Sequence, residues 1–230
     1  MVVFEIKLKV FLLKDLQLSK VQSKVTRFID SGLSENKNYL DMHLKNGFKE
    51  YCFDSLYPIE SEKIYKKNNI YTVTIRAINK ELAVFFSEQL SNFYNDDIKG
   101  LTSEVRIIPK KHIEKIYSIT PVVLKNDNGY WRKIMTIEQF EKRLKDNLIK
   151  KYNYITGEKL NEDFQFYTAI EFKNKKPISI EYKNVKLLGD KISLNICEND
   201  TAQKLAYLAL GMGVLENNSR GQGFCNYRWL

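Results

Sequence analysis

ALGMGVLENNSRGQGFCNYRWL, residues 209–230, holds four of the chain's ten glycines, as Gly211 with Gly213 and then Gly221 with Gly223. Between the two pairs runs the polar segment 216–220, which ends in Ser219 and Arg220. The residues ahead of the first pair predict a helix over 200–210. Asp200 suits its N-cap, Leu205, Ala206, Leu208 and Ala209 recur at helical spacing, and Gly211 stands where a left-handed residue closes a helix. Residues 224–230 predict a short aromatic strand. Helix, glycine loop, strand is the reverse of a dinucleotide or Walker loop, whose phosphate sits on the N-terminus of the helix that follows. A nucleotide cofactor is therefore not expected. Residues 220–227 approach an RNA-recognition-motif signature, but Gln222 occupies a position where that signature needs an aromatic.

Upstream, two similar runs of elements emerge. Residues 2–12 alternate Phe4, Ile6, Leu8 and Val10 with Glu5, Lys7 and Lys9, which predicts a half-buried strand. Ser19 then caps a helix striped by Val21, Val25, Phe28 and Ile29 that ends near Gly32. A short strand is expected over 50–55, a better one over 70–78, a helix over 80–93, and a strand over 104–117 interrupted at Pro109. The sum is β-α-β-β-α-β, a ferredoxin-like unit. Pro121 marks a joint, after which 121–124 and 130–134 read as strands. Thr136 caps a helix through Phe140, Leu144 and Leu148, 164–172 is a strand, and 178–196 is a long hairpin. With the closing helix and strand this is a second such unit. The expected fold class is α+β: two tandem ferredoxin-like domains, 1–118 and 119–230, the second carrying the glycine-rich loop.

The loop pattern, Gly-hydrophobic-Gly, a polar run with Ser and Arg, then Gly-x-Gly-Phe, is similar to that of the CRISPR-associated repeat-processing endoribonucleases. These belong to the RAMP superfamily of tandem ferredoxin-like domains. A second stretch, MHLKNGFKEYCFDS at 42–55, resembles the catalytic segment of the same family: a histidine after the first helix, a glycine turn, a lysine, and a short strand ending in serine. The resemblance implies that His43 moves a proton and that Lys49, six residues on, holds the phosphate. Some members add a tyrosine from the first helix. That position is Phe28 here, without a hydroxyl, so Tyr39 is retained as a candidate, with Tyr51 the other tyrosine nearby.

The family's loop helps to position RNA. Glycine permits close backbone approach, so Gly211, Gly213, Gly221 and Gly223 are expected to bring amides to phosphates, with Ser219 and Arg220 adding a donor and a charge. Lys183 and Lys186 lie on a hairpin that resembles the one with which the family engages the base of a repeat stem. Lys110 and Lys111 adjoin His112, the second of the two histidines, and read as part of an RNA track.

Composition agrees with an anionic partner. The formal net charge is +9, made of +4 up to Ser118 (19 basic, 15 acidic) and +5 beyond it (18 basic, 13 acidic). Cys52, Cys197 and Cys225 are far apart, without a Cys-x-x-Cys, and read as free thiols of a cytoplasmic protein. No apolar run approaches the ~20 residues of a membrane span, and no His/Cys/carboxylate spacing suggests a metal site. The expectation is a metal-independent, cofactor-free endoribonuclease that cuts CRISPR repeat RNA through attack by the RNA's own 2′-hydroxyl. Proteins of a CRISPR effector complex would be further partners. The alternative is a non-catalytic RNA-binding RAMP subunit of such a complex.

Overall fold

A computed structural model describes residues 1–37, 39, 47–126, 129–182 and 185–230, and of Tyr182 the backbone only. The first half runs β1 (Val3–Leu12), α1 (Leu18–Ser34), β2 (Tyr51–Phe53), β3 (Ile70–Ala77), α2 (Lys80–Asn92) and β4 (Ile98–Ile108). The second runs β5 (Ile113–Ser118), α3 (Ile137–Thr156), β6 (Tyr167–Phe172), the hairpin β7 (Ile178–Tyr182) and β8 (Val185–Gly189), β9 (Ile192–Ile196), α4 (Asp200–Met212) and β10 (Cys225–Trp229). The two four-stranded sheets are ordered β2-β3-β1-β4 and β10-β5-β9-β6, with every pairing antiparallel. Each order is that of a ferredoxin-like unit, so the fold is α+β with two such units in tandem. Among the described residues no helix is long and apolar enough to cross a membrane.

Periodicity explains most of this. Ile6, Leu8, Val10 and Leu12 of β1 are buried on the face that α1 and α2 cover, while Lys7 and Lys9 point to the other face and are exposed. In α1, Val21, Val25, Phe28, Ile29 and Leu33 form the buried stripe. α3 begins with a capping box of Thr136 and Gln139 and closes on Gly157 at φ +72°.

Several expectations are corrected. Strand 104–117 is two strands. β4 ends at Ile108 in the first sheet, and β5 begins at Ile113 in the second, so the expected division at 118/119 leaves β5 on the wrong side. The interruption at Pro109 is where the chain changes sheets. β5, rather than 121–124 or 130–134, opens the second unit. Val122 and Val123 make isolated bridges to Asp190 and Glu216. Trp131–Lys133 is a 3-10 turn whose buried Trp131 stacks on Phe140 at 4.2 Å and donates to Asp190 at 2.7 Å. The aromatic residues of that segment fill the end of the core instead of extending a sheet. The N-caps also move: Gln17 precedes α1, and the Asn199 side chain, not Asp200, accepts from Ala202 N to cap α4. Gly211 lies inside α4, where an added Cβ would stand 2.5 Å from Ile78 Cγ2 and 3.1 Å from Val3 Cγ2. It lets α4 pack closely on the first unit, and Gly213 takes the C-cap.

The units share more than that packing. The Tyr207 hydroxyl donates to Ile108 O at 2.6 Å and accepts from Val3 N at 3.1 Å. Arg76 of β3 is buried and bonds Glu5 at 2.8 Å within its own sheet, then Cys225 O at 2.6 Å and Asn226 Oδ1 at 2.9 Å on β10. Its guanidinium also lies 4.4 Å from the centre of the Phe224 ring. Burial pushes the Glu5 carboxyl upward, but Arg76 and Arg106 outweigh it and hold the pKa below the ordinary 4.5. Arg76→Gln leaves Glu5 with only the more exposed Arg106, and should cost about 3 kcal/mol in urea unfolding. A carboxyl with a depressed folded pKa stabilises above its unfolded value and loses that contribution as pH falls. The gap between wild type and Arg76→Gln should therefore narrow as pH drops below 4.5. An unchanged gap at pH ~3 would argue against this clamp.

Candidate functional site

The loop after α4 is closed upon itself. Gly213, Gly221 and Gly223 adopt φ of +71°, +79° and +65°, and Leu215 and Asn217 also lie in the left-handed region at +59° and +60°. These reversals let Val214 N donate to Gly223 O at 2.9 Å and Gly223 N to Pro121 O at 2.9 Å. Asn218 Nδ2 fills the interior, donating to Val214 O at 3.1 Å and Gln222 O at 2.9 Å. Lys151, a buried residue of α3, points its Nζ at Gly213 O, Leu215 O and Asn218 Oδ1.

The closed loop docks on the first unit. Gln22 of α1 donates to Gly221 O at 3.2 Å, and a Cβ on Gly221 would lie 2.5 Å from Gln22 Oε1 and 2.7 Å from Phe53 Cε2. Arg220 forms an ion pair with Asp30 of α1. Lys49, half-buried just before β2, has its pKa lowered by burial and then by the Arg220 charge, with Asp30 opposing. The Tyr51 side chain is buried beside them. Burial and then Asp30 hold its proton more tightly, while Arg220 and Ser219 act the other way. The cluster thus joins two cations, one carboxylate and two hydroxyls from both units. A cleft of about 330 Å³ opens beside it, walled by Thr26 and Asp30 of α1, Ile180, Glu181 and Leu187 of the hairpin, and Arg220.

The family model for CRISPR associated protein Cas6, C-terminal, matches residues 104–227, more than half of the chain. The chain belongs to the Cas6 family. No curated protein matches it in sequence. Among solved structures, a RAMP protein described as binding different RNA substrates is similar over 98% of this chain and 99% of its own, at 17% identity and a TM-score of 0.73. A Cas6-related protein from Pyrococcus furiosus gives 18% identity and a TM-score of 0.69 over 98% of both chains. A Cas6 solved as a product complex gives 14% identity and a TM-score of 0.65 over 99% of this chain and 100% of that one. At these identities the likeness is one of fold.

In this Cas6-family chain the structure brings together Lys49, Ser219 and Arg220 from the residues marked in the sequence. His43 and Lys183 lie outside the described residues. Tyr39 packs its ring on Phe85 of α2, centroids 4.4 Å apart, with Glu81 close by, so its ring is committed to the first core. Tyr51 is the tyrosine that reaches the loop. All four loop glycines are buried, and the amides of Gly213, Gly221 and Gly223 donate to Ala209 O, Asn218 O and Pro121 O. Those amides are engaged within the chain, so what the loop offers a ligand is Ser219 and Arg220, both half-exposed. Lys110 and Lys111 are exposed around a separate cavity of about 510 Å³ with His112 and Lys204, and Lys186 is exposed on β8. Among the described residues no three His, Cys, Asp or Glu side chains gather as metal ligands.

Asp30 and Lys151 carry no motif and were not singled out in the sequence. Asp30 looks like one more polar residue of an amphipathic helix. Lys151 had a usable signal: it follows Leu144 and Leu148 at helical spacing on a stripe that is otherwise apolar.

The glycines can be tested by contrast. Gly157→Ala meets nothing within 4 Å, so it should cost only the left-handed penalty of about 1–2 kcal/mol. Gly223→Ala carries the same penalty and also sets a Cβ 2.1 Å from Val214 O, so its loss in urea unfolding should be at least double. Equal losses would mean that the loop tolerates opening.

Proposed function

We propose that the chain is a metal-independent endoribonuclease that cuts CRISPR repeat RNA into guide units. The observation that supports this reading is the approach of Lys49 and Arg220, cations from the two units, to each other beside Asp30. After burial, the Arg220 charge lowers the Lys49 pKa, with Asp30 opposing. A phosphate bound between Lys49 and Arg220 would relieve their repulsion. Lys49 stands six residues after His43 in the sequence, the spacing of the family's catalytic pair.

On this reading the 2′-hydroxyl upstream of the cut attacks its neighbouring phosphate, and the 5′-oxygen of the downstream nucleotide leaves. One proton must come off the nucleophile and one must reach the leaving oxygen. His43 serves those transfers, an imidazole being suited to take or give a proton near neutral pH. Lys49 and Arg220 offset the charge that builds on the phosphorane, Asp30 orients Arg220, and Ser219 donates to a phosphate oxygen. The products are a 2′,3′-cyclic phosphate and a 5′-hydroxyl, and proteins of a CRISPR effector complex are candidates to receive the guide.

His43→Ala should slow cleavage of the host's repeat RNA by about 10²–10⁴-fold, with RNA affinity within a few fold because the basic contacts persist. Tight binding by the wild type without any cleavage would instead make it a non-catalytic RNA-binding subunit. The nucleophile has its own test. A 2′-deoxy nucleotide just upstream of the cut should abolish cleavage while binding survives, and chelator should leave the rate on normal RNA unchanged. Cutting of the deoxy RNA at the normal site would rule out attack by the 2′-hydroxyl.

A further inference from the structure

We infer that Lys151 is the positioning residue of this site: bonded at once to Gly213 O, Leu215 O and Asn218 Oδ1, its side chain holds the glycine-rich loop in the form that sets Ser219 and Arg220 against Asp30, Tyr51 and Lys49. The inference rests on reading that cluster as the RNA-cleaving site.

The geometry is specific to an ammonium. Lys151 is 2% exposed, and its Nζ lies 2.8 Å from Gly213 O, 2.9 Å from Leu215 O and 2.7 Å from Asn218 Oδ1, with Met212 O further off at 3.4 Å. All of these are acceptors. An ammonium has three donors and matches the three short contacts, whereas a neutral amine would aim a lone pair at one of them. Met212 and Gly213 form the carbonyl end of α4, where the helix dipole favours a cation. Burial pushes the amine down to about 7, while Cys52 on β2, Cys225 on β10 and Glu216 in the loop face it and pull the other way.

The bonds fall where the loop is least able to hold itself. Leu215, whose carbonyl Lys151 binds, has φ +59°, a conformation L side chains rarely adopt. Asn218, whose oxygen Lys151 binds, uses its other amide atom to tie Val214 O to Gln222 O. Without the ammonium, Leu215 is free to relax and Asn218 to turn, and residues 219 and 220 follow directly in the chain. A lysine on the far unit's helix thereby acts on the cluster through the loop and without reaching it.

The test uses the full chain with Lys151→Met, which keeps the stem and removes the charge. In the folded variant, exchange of the Val214, Gln222 and Gly223 amides should quicken about tenfold or more while α1 amides stay protected. Single-turnover cleavage of repeat RNA should slow by about tenfold or more, and adding Arg220→Ala should slow it no further, because Arg220 is already displaced. Effects of the two substitutions that multiply, or wild-type exchange in the loop, would overturn the inference. Lys151→Gln carries the same test if the Met variant does not fold, and unfolding of both would make Lys151 part of the core and overturn it as well. Amide exchange does not depend on cleavage. A wild type that cuts no RNA, with a loop that loosens in the variant, would reject the functional reading and leave the loop assignment standing.

Discussion

Arg76 reaches from the middle strand pair of the first sheet to the last strand of the second, and much of the architecture hangs on that reach. Its guanidinium is buried, so each donor needs a partner. Glu5, Cys225 O and Asn226 provide them, with Phe224 beneath the plane. An unpaired buried cation would be costly, which ties the two sheets to one relative placement. β10 follows the glycine-rich loop directly, so fixing Cys225 and Asn226 also fixes where that loop lies over α1 and β2. Tyr207, bonded to both Ile108 O and Val3 N, repeats the arrangement at the other end of the interface.

The glycines of the loop serve packing. Gly211 admits β1 to α4, Gly221 admits Gln22 and Phe53, and Gly223 clears Val214 O. A loop built this tightly presents little backbone outward. Recognition passes to the side chains at its turn, and a side chain such as Arg220 is positioned only as well as the turn beneath it. That is why a buried lysine two helical turns beyond Leu144 matters to residues it does not touch.

Charges of both signs meet at the cluster. Asp30 pairs with Arg220 and opposes the effect of Arg220 on Lys49. The cleft beside this cluster is lined by Arg220 together with Asp30 and Glu181. The overall charge of +9 favours a polyanionic partner, and on the proposed reading the cluster is where it binds.

The order of elements and the tandem ferredoxin-like class were legible in the chain, because they rest on local periodicity. The alternation of Ile6, Leu8 and Val10 and the stripe of Val21, Val25 and Phe28 report burial to any reader of the sequence. Lys49, Ser219 and Arg220 stood out through the resemblance of their segments to a known family's, and the fold brings them side by side. Which sheet takes Ile113–Ser118 was not: a break at Pro109 looks the same whether the strand resumes beside its old partner or a new one, and β5 pairs with β9 and β10, some 75 and more residues away. The roles of Asp30, Tyr51 and Lys151 were hidden for the same reason. Each is defined by a partner distant in the chain, and only folding brings those partners within the few ångströms over which hydrogen bonds and ion pairs act.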